Sequence, residues 1–299
     1  MGIEAMKRII IIFILLSFAT AQVTTEHLFM GAPSMSVAGS DIARSEQSWS
    51  MFVNPASLAE HKNKSVVVGS ESIFGLSFFA HSMAAFQFNL PMMRNLGISI
   101  EDFSTTYQGN SLTHEIAIGL SQGLKLQADR NSTLLMGYTL KAYSVDYGQS
   151  AGPTGDGSDG RELGSHNAFG LDVGLLATLR DRIRFGAKVT NINHPQLGEA
   201  NTAVYLPRRM QIGLAYSPYD LVWTTASLTR SVGHDTQMNA GLDFEILSGL
   251  HLRTGVQSNP NQFAAGFRFS WKFISVDYGL MTHPVLPLSH QFSLEIRLR

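Results

Sequence analysis

The sequence contains no cysteine, so no disulfide bond can brace its fold. Charged residues make up 15% of the 299 positions, whereas typical soluble domains have roughly a quarter. The formal net charge is −1, which gives no basic surface for nucleic acid. After position 22 there is no run of about 18 apolar residues, so no helical membrane span is expected there. A chain with these absences needs a large core, or a bilayer, to hold it together.

The N-terminal segment has the pattern of an export signal. The basic pair Lys7-Arg8 is followed by an unbroken apolar run at 9–16 and by Ala-Thr-Ala at 19–21. This order predicts a secretory signal peptide at 1–21, cleaved after Ala21. The apolar run is shorter than the ~20 residues that a helix needs to span a bilayer. We therefore expect an exported mature protein.

The remainder of the chain alternates apolar and polar residues with period two. In the segment 263–273 the odd positions are mainly large apolar side chains, whereas the even positions are small or polar. Side chains of a strand point alternately to the two faces of a sheet, so each such segment has one apolar face. About fourteen segments of this kind follow position 64, and most have ten or more residues. Soluble strands typically have about five or six residues, so the length favours membrane-crossing strands.

These features predict an all-β protein, a transmembrane antiparallel β-barrel of about 14 strands. The sheet has to close, because lipid cannot satisfy the backbone groups of an open edge. Connections at 180–182, 217–220 and 247–249 are short whereas 148–165 is long, as expected of the two rims of such a barrel. The predicted organisation is a signal peptide at 1–21, an N-terminal hatch or plug in the lumen at 22–63, and the barrel at 64–299. The alternative fold is a soluble exported β-protein with a structural role.

The alternation also assigns side chains to the two sides of the wall. Aromatic residues near segment ends are expected at the membrane interfaces: Tyr143, Tyr147, Tyr216, Tyr219, Trp223, Trp271 and Tyr278. Charged residues on the polar faces are expected in the lumen: Asp243, Glu245, Arg253, Arg268, Lys272, Asp277, Glu295 and Arg297. Two interpretations of the charged set stay open, a mutually paired polar interior and a translocation path.

The hatch contains the motif Asn54-Pro55-Ala56. Proline fixes its φ angle and asparagine bonds its own backbone, so the motif predicts a tight turn. A gating or ligand contact is the second interpretation, and it is compatible with the first.

No catalytic or metal-binding pattern stands out. The ten histidines show no metal-ligand spacing. Neither a Gly-x-Ser-x-Gly elbow nor a His-Glu-x-x-His motif occurs. We therefore expect no enzyme, no metal site and no cofactor. A Ser/His pair assembled from separate strands, for example with His114 or His290, is the exception left open.

Several short stretches resemble the PorV/PorQ branch of the FadL-like outer-membrane barrels. They are Gly31-Ala32, 39–43, Trp49 and 54–59 in the hatch, and 206–216, 276–280, His283 and 288–294 in the barrel. The resemblance covers nearly the whole mature chain. It implies a fourteen-stranded barrel with a luminal hatch in the bacterial outer membrane.

The same resemblance implies a component of type IX protein secretion, which anchors or docks exported proteins or partner subunits. The alternative function is a FadL-like channel for hydrophobic small molecules, and it predicts a continuous apolar pocket between hatch and wall. Outer-membrane lipid is the expected surrounding in both cases, and no nucleic acid is expected as a partner.

Overall fold

The computed structural model describes residues 29–44, 49–60, 63–90, 93–150, 152–155, 159–198 and 204–298. The predicted signal peptide at 1–21 lies outside these residues, as does the start of the predicted hatch. The described part of the hatch comprises helix α1 (Ala32–Ser36), a 3-10 turn at Asp41–Ala43, helix α2 (Ser50–Val53) and a 3-10 turn at Pro55–Glu60. Within the described ranges, no helix has both the length and the apolar character needed to cross a membrane.

Sixteen strands follow among the described residues: β1 (Lys64–Ser72), β2 (Phe79–Phe88), β3 (Leu96–Tyr107), β4 (Asn110–Ala128), β5 (Ser132–Asp146), β6 (Ser165–Leu179), β7 (Ile183–Thr190), β8 (Gln196–Leu197), β9 (Val204–Tyr205), β10 (Arg209–Tyr219), β11 (Val222–Ser231), β12 (Gln237–Leu247), β13 (Leu250–Gln257), β14 (Gln262–Trp271), β15 (Ile274–Met281) and β16 (Ser289–Leu298). Fourteen of them form a closed antiparallel barrel, while β8 and β9 pair separately. The barrel closes where β1 pairs with β16, with Lys64 opposite Leu298. The predicted fourteen-stranded barrel is confirmed.

Burial along each strand follows the alternation of the sequence. The side chains of Phe263, Phe269 and Phe292 face outward and are 66%, 52% and 55% exposed. Their neighbours Ala264 and Arg268 face the lumen and are buried. A soluble core would enclose the large apolar side chains, whereas a transmembrane barrel turns them toward lipid. The outward band therefore favours a membrane barrel over the soluble alternative.

The two rims of the barrel differ in the length of their connections. The short-turn rim holds the start of β1, the end of β16 and the turns at 129–131, 180–182, 220–221, 248–249 and 272–273. The opposite, long-loop rim holds the connections 147–164 and 191–208. The second of these carries β8 and β9, whose Leu197 packs with Leu206, Tyr143 and Val145 in a buried cluster.

Two of the aromatic residues assigned to the interfaces face the lumen instead. Tyr143 is 3% exposed in that cluster, and Trp223 lies against arginine side chains inside the barrel. Both share the parity of the lumen-facing positions of their strands, which outweighs their place near a strand end. Tyr219 and Trp271 are 74% and 63% exposed at the short-turn rim, as an interfacial position requires.

Arginine on the outer face should destabilise the barrel, whereas arginine at the neighbouring luminal position should not. Ile212 of β10 faces outward and is 54% exposed, and Gln211 lines the luminal cavity. An outward arginine costs about 2–4 kcal/mol at the bilayer midplane and less near its interfaces. We expect Ile212→Arg to lose about 2 kcal/mol of unfolding free energy in vesicle denaturant titrations, with Gln211→Arg close to wild type. Equal losses in both variants would contradict the assignment of faces.

Candidate functional site

The hatch lies inside the barrel and is bonded to separate strands of its wall. The Ala32 amide donates a hydrogen bond to Ser293 Oγ of β16 at 2.9 Å. Five strands farther round the wall, the Ser40 and Thr225 hydroxyls lie 2.6 Å apart, which joins the hatch to β11. Trp49 is 1% exposed. The hatch is therefore a packed plug.

Glycines face the lumen where the hatch backbone comes closest to the wall. A methyl group on Gly123 would lie 2.5 Å from the Ala59 backbone nitrogen, and one on Gly186 would lie 2.6 Å from Ala43 Cα. Real Cβ atoms do not approach backbone so closely, so these wall positions require glycine. The glycines stand opposite one another across neighbouring strands: Gly123 with Gly137 and Gly137 with Gly174, then Gly186 with Gly213, Gly241 with Gly255, and Gly266 with Gly279.

The predicted hatch motif Asn54-Pro55-Ala56 forms a turn that also ties the hatch to β6. Asn54 Oδ1 accepts a hydrogen bond from the Ala56 amide at 3.1 Å. Its Nδ2 donates to the Ile42 carbonyl at 2.9 Å and to the Leu175 carbonyl at 3.1 Å. Asn54 is fully buried, so its geometry here is that of a structural turn. A gating or ligand role for the motif stays a prediction.

Five of the predicted luminal charges form one ion-pair chain near the short-turn rim. Each is buried, and each lies on a different strand from β12 to β16. Such buried charges are tolerated because every one has an opposite partner. An arginine of the hatch begins the chain, which runs Arg44, Asp243, Arg253, Asp277, Arg268, Glu295 with N–O distances of 2.8, 3.1, 2.8, 3.1 and 2.5 Å.

The other three predicted luminal charges behave differently. Glu245 is half-buried and accepts a hydrogen bond from the Gly249 amide at 3.2 Å. Arg297 donates to Ser275 Oγ at 3.1 Å. The luminal assignment is wrong for Lys272, which is exposed in the turn between β14 and β15 with a φ of 54°. The chain reverses at this turn, so period-two parity no longer assigns its side chain to a face.

A wall tryptophan connects the charged ends of the hatch to the short-turn rim. The guanidinium carbon of Arg44 lies 4.9 Å from the centroid of the Trp223 ring, and that of Arg184 lies 5.2 Å away. Both distances are within cation–π range. Arg184 also pairs with Glu60 of the hatch at 3.0 Å. We call Arg44, Glu60, Arg184, Trp223 and Asp243 the hatch latch.

Sequence reasoning missed most of the latch. It gave no role to Arg44, Glu60 or Arg184, and it placed Trp223 at the membrane interface. The parity of Trp223 with the buried positions Thr225 and Ser227 was the available signal.

A cavity of about 600 Å³ lies between the hatch and the long-loop rim. We call it the vestibule. The hatch supplies its apolar floor: Met30, Met35, Ile42, Phe52 and Val53. The wall strands supply mainly polar side chains: Glu101, Lys141, Lys188, Arg209, Gln211, Thr229, Ser231, Gln237 and Gln257. The expectation of a continuous apolar pocket between hatch and wall is not met by this cavity, because these polar side chains separate the apolar floor from the few apolar wall residues, Ile73, Phe74, Pro260 and Met281.

A second charge cluster in the wall of the vestibule holds α2. Lys188 Nζ donates to the Phe52 carbonyl at 2.6 Å and lies 3.5 Å from Asp172. Asp172 is also 3.4 Å from Lys141, which lies 4.0 Å from Glu101. Sequence reasoning did not single out these residues, although their parity on β3, β5, β6 and β7 marks them as luminal.

The histidines considered for a Ser/His pair have other partners. His114 Nε2 lies 3.0 Å from Asp102 Oδ2, and both side chains are more than 40% exposed. His290 Nδ1 lies 2.7 Å from the Tyr278 hydroxyl. In the described ranges, no three or more histidine or acidic residues are arranged to hold a metal ion.

Comparison with solved structures identifies proteins of the same fold. The monoaromatic hydrocarbon channel CymD has a TM-score of 0.59 and 11% identity, over 95% of this chain and 99% of that chain. The Pseudomonas putida toluene transporter TodX has a TM-score of 0.61 and 12% identity, over 90% and 98% of the two chains. A Pseudomonas aeruginosa FadL homologue has a TM-score of 0.54 and 10% identity, over 89% and 97%. At these identities the likeness shows the fold alone.

Comparison with protein families gives one match. The family model described as "F plasmid transfer operon, TraF, protein" matches residues 57–229, which is more than half of the chain. The matched range begins in the last turn of the hatch and ends in β11. No curated protein matches the chain.

A side chain at Gly137 should disturb the seating of the hatch. A Cβ atom there would overlap the Pro55–Ala56 peptide, and overpacking of this kind costs about 1–3 kcal/mol. We expect Gly137→Val to lower the unfolding free energy by that amount and to speed protease cleavage of the hatch. Ala142→Val is the control, because Ala142 lies on the same strand with its side chain outward. Equal effects of the two variants would argue against a hatch-specific contact.

Removing Asp277 should be far more costly than removing an exposed aspartate. Asp277 is fully buried between Arg253 and Arg268, so Asp277→Ala leaves buried cations short of a partner and costs about 3–5 kcal/mol. Asp220→Ala is the control: its side chain is 85% exposed beside Arg182, and such pairs contribute about 0–1 kcal/mol. Denaturant unfolding of both variants provides the comparison. Similar losses would show that the ion-pair chain does not hold the rim together.

Proposed function

The chain belongs to the family described as "F plasmid transfer operon, TraF, protein", and from its hatch-filled barrel we propose that it is an outer-membrane, FadL-like channel for hydrophobic small molecules. The observation that carries this proposal is the vestibule, whose apolar floor is made by the hatch itself. A ligand that enters from the long-loop rim meets most of the apolar surface at the hatch, the element that has to move for it to pass.

The dimensions and lining of the vestibule support a small ligand. Its volume of about 600 Å³ lies within the roughly 300–1,000 Å³ usual for ligand pockets. Met30 and Met35 contribute flexible thioether side chains to the floor, and such side chains adapt to apolar groups of different shape. Polar walls above an apolar floor favour ligands that are small enough to leave the walls solvated.

The comparisons support the same architecture. CymD is described as a monoaromatic hydrocarbon channel, and TodX as a toluene transporter. Both descriptions are of transport proteins and not of enzymes. Their barrels share the fold of this chain, and the extension of their ligand class to it is part of the proposal.

The latch supports a gating role for the hatch. Arg44 and Glu60 reach the short-turn rim from the hatch and pair there with Asp243 and Arg184 of the wall. The side chains of Arg44 and Arg184 are 22% exposed, so solvent reaches this part of the hatch. Passage requires these contacts to break while the barrel stays closed.

A disulfide between hatch and wall should block passage. The Ser40 and Thr225 hydroxyls are in direct hydrogen-bond contact at 2.6 Å, so the two side chains point at one another as a disulfide bond requires. The chain has no cysteine to interfere. We expect cells producing oxidised Ser40→Cys/Thr225→Cys to take up radiolabelled toluene no faster than cells without the barrel. Reductant should restore uptake, because it frees the hatch.

The single variant Ser40→Cys is the control for the disulfide cross-link. It removes the same hatch hydroxyl without forming a cross-link, so its uptake should match wild type under both redox conditions. Gel mobility reports whether the bond has formed. Wild-type uptake by the fully oxidised double variant would contradict a hatch-gated channel.

A second candidate is the PorV/PorQ-like role in type IX secretion, in which the barrel anchors or docks exported proteins or partner subunits. The observation that favours it is the number of contacts fixing the hatch, from β16 through β11 to β6. An anchor has no need of a moving hatch. Secretion subunits should then co-purify equally with the oxidised, cross-linked Ser40→Cys/Thr225→Cys barrel and with its reduced form. Absence of any such partner would count against this role.

A further inference from the structure

The exposed charges of the two rims differ in balance among the described residues. The short-turn rim exposes more cations than carboxylates, while the long-loop rim is nearly balanced. At the short-turn rim the cations are Lys64, Arg94, Arg130, Arg180, Arg182 and Lys272, and the carboxylates are Asp129, Asp181 and Asp220. At the long-loop rim the cations are Arg161, Arg208 and Arg230, and the carboxylates are Asp146, Asp159, Glu162 and Asp235.

Cations of the short-turn rim stand beside exposed apolar side chains. Arg94 follows Met93, which is 45% exposed. Lys272 Nζ lies 4.7 Å from the centroid of the Trp271 ring, and Phe273 on its other side is 53% exposed. An apolar side chain next to a cation suits the boundary between acyl chains and headgroups.

Three of these arginines have no ion-pair partner within the described ranges. Arg94, Arg130 and Arg180 lie in three different turns and are all exposed. Arg182 differs, because it pairs with Asp220 at 2.7 Å. The three guanidinium groups therefore keep their charge available for an external anion.

We propose that the short-turn rim binds the headgroups of anionic phospholipids. Arg94, Arg130 and Arg180 lie in three successive connections of this rim, those between β2 and β3, β4 and β5, and β6 and β7, while Lys272 lies farther round in the turn between β14 and β15. The cations therefore form an arc along the rim. An arc of cations along the edge of the apolar outer band follows the layer of lipid headgroups, and the exposed apolar side chains beside these cations suit acyl chains. The planar guanidinium group also matches a phosphate in two-point hydrogen bonding.

The test compares the lipid that stays with the barrel to the lipid around it. Wild-type protein is reconstituted in vesicles of equal phosphatidylglycerol and phosphatidylcholine and then extracted with limiting detergent. We expect phosphatidylglycerol to be enriched in the retained lipid, because one cation near an anionic surface is worth roughly a fivefold preference. The enrichment should fall when the salt is raised to about 1 M, where the Debye length shrinks to about 3 Å.

Two triple variants separate rim charge from total charge. Arg94→Gln/Arg130→Gln/Arg180→Gln should bring the retained lipid close to the bulk ratio. Arg161→Gln/Arg208→Gln/Arg230→Gln removes the same charge from the long-loop rim and should keep the wild-type ratio. Heat-dependent gel mobility confirms the folded barrel, and Arg94→Gln alone, with a smaller decrease, replaces the triple variant if that does not fold.

Three results would overturn the proposal. Retained wild-type lipid of bulk composition would show that the rim does not select anionic headgroups. An equal loss of phosphatidylglycerol enrichment in the long-loop triple variant would show that the overall charge, and not the short-turn rim, causes the enrichment. Enrichment that high salt leaves unchanged would rule out an electrostatic site. None of these results bears on passage through the lumen, so the two proposals stand or fall separately.

Discussion

Direct contact between the hatch backbone and the luminal glycines is the constraint on which the rest of the structure depends. Gly137 leaves no room for a side chain beside the Pro55–Ala56 peptide, and Gly255 leaves none beside Val37–Ala38. Because glycine has no side chain, the backbone of the short hatch helices and turns contacts the backbone of the wall directly at these positions. That seating brings the latch residues to the short-turn rim and leaves the vestibule open on the other side.

The strands and their faces follow from local sequence, and the latch does not. Period two is a local property, so the segment 263–273 reveals its lipid-facing side without knowledge of its neighbours. Lys272 departs from that pattern because a turn interrupts it. Trp223 follows the pattern, since its parity with the luminal positions of β11, and not its place near the strand end, decides its face. The pairing of Arg44 with Asp243 spans 199 positions. Only closure of the barrel around the hatch brings these two side chains together.

The asymmetry of the lumen connects this architecture to function. The short-turn rim is closed by buried ion pairs and by Arg44 and Arg184 on Trp223, whereas the long-loop rim opens into a cavity with an apolar floor. An arrangement open on one side fits the proposed channel, and that proposal makes the hatch the movable part. The secretion role that the PorV/PorQ resemblance implies uses the same barrel as a fixed anchor. The two proposals therefore differ in one physical property, the motion of the hatch.

Amide hydrogen exchange of the hatch with and without an apolar ligand tests this motion most directly. We expect slow exchange of the hatch backbone at 31–44 and 49–60 in the ligand-free barrel, because glycine contacts and luminal hydrogen bonds protect these residues. Saturating toluene should speed exchange in the hatch while the β-strands of the wall keep their protection. Hatch exchange that toluene leaves unchanged would contradict the account, as would a loss of protection in the wall strands.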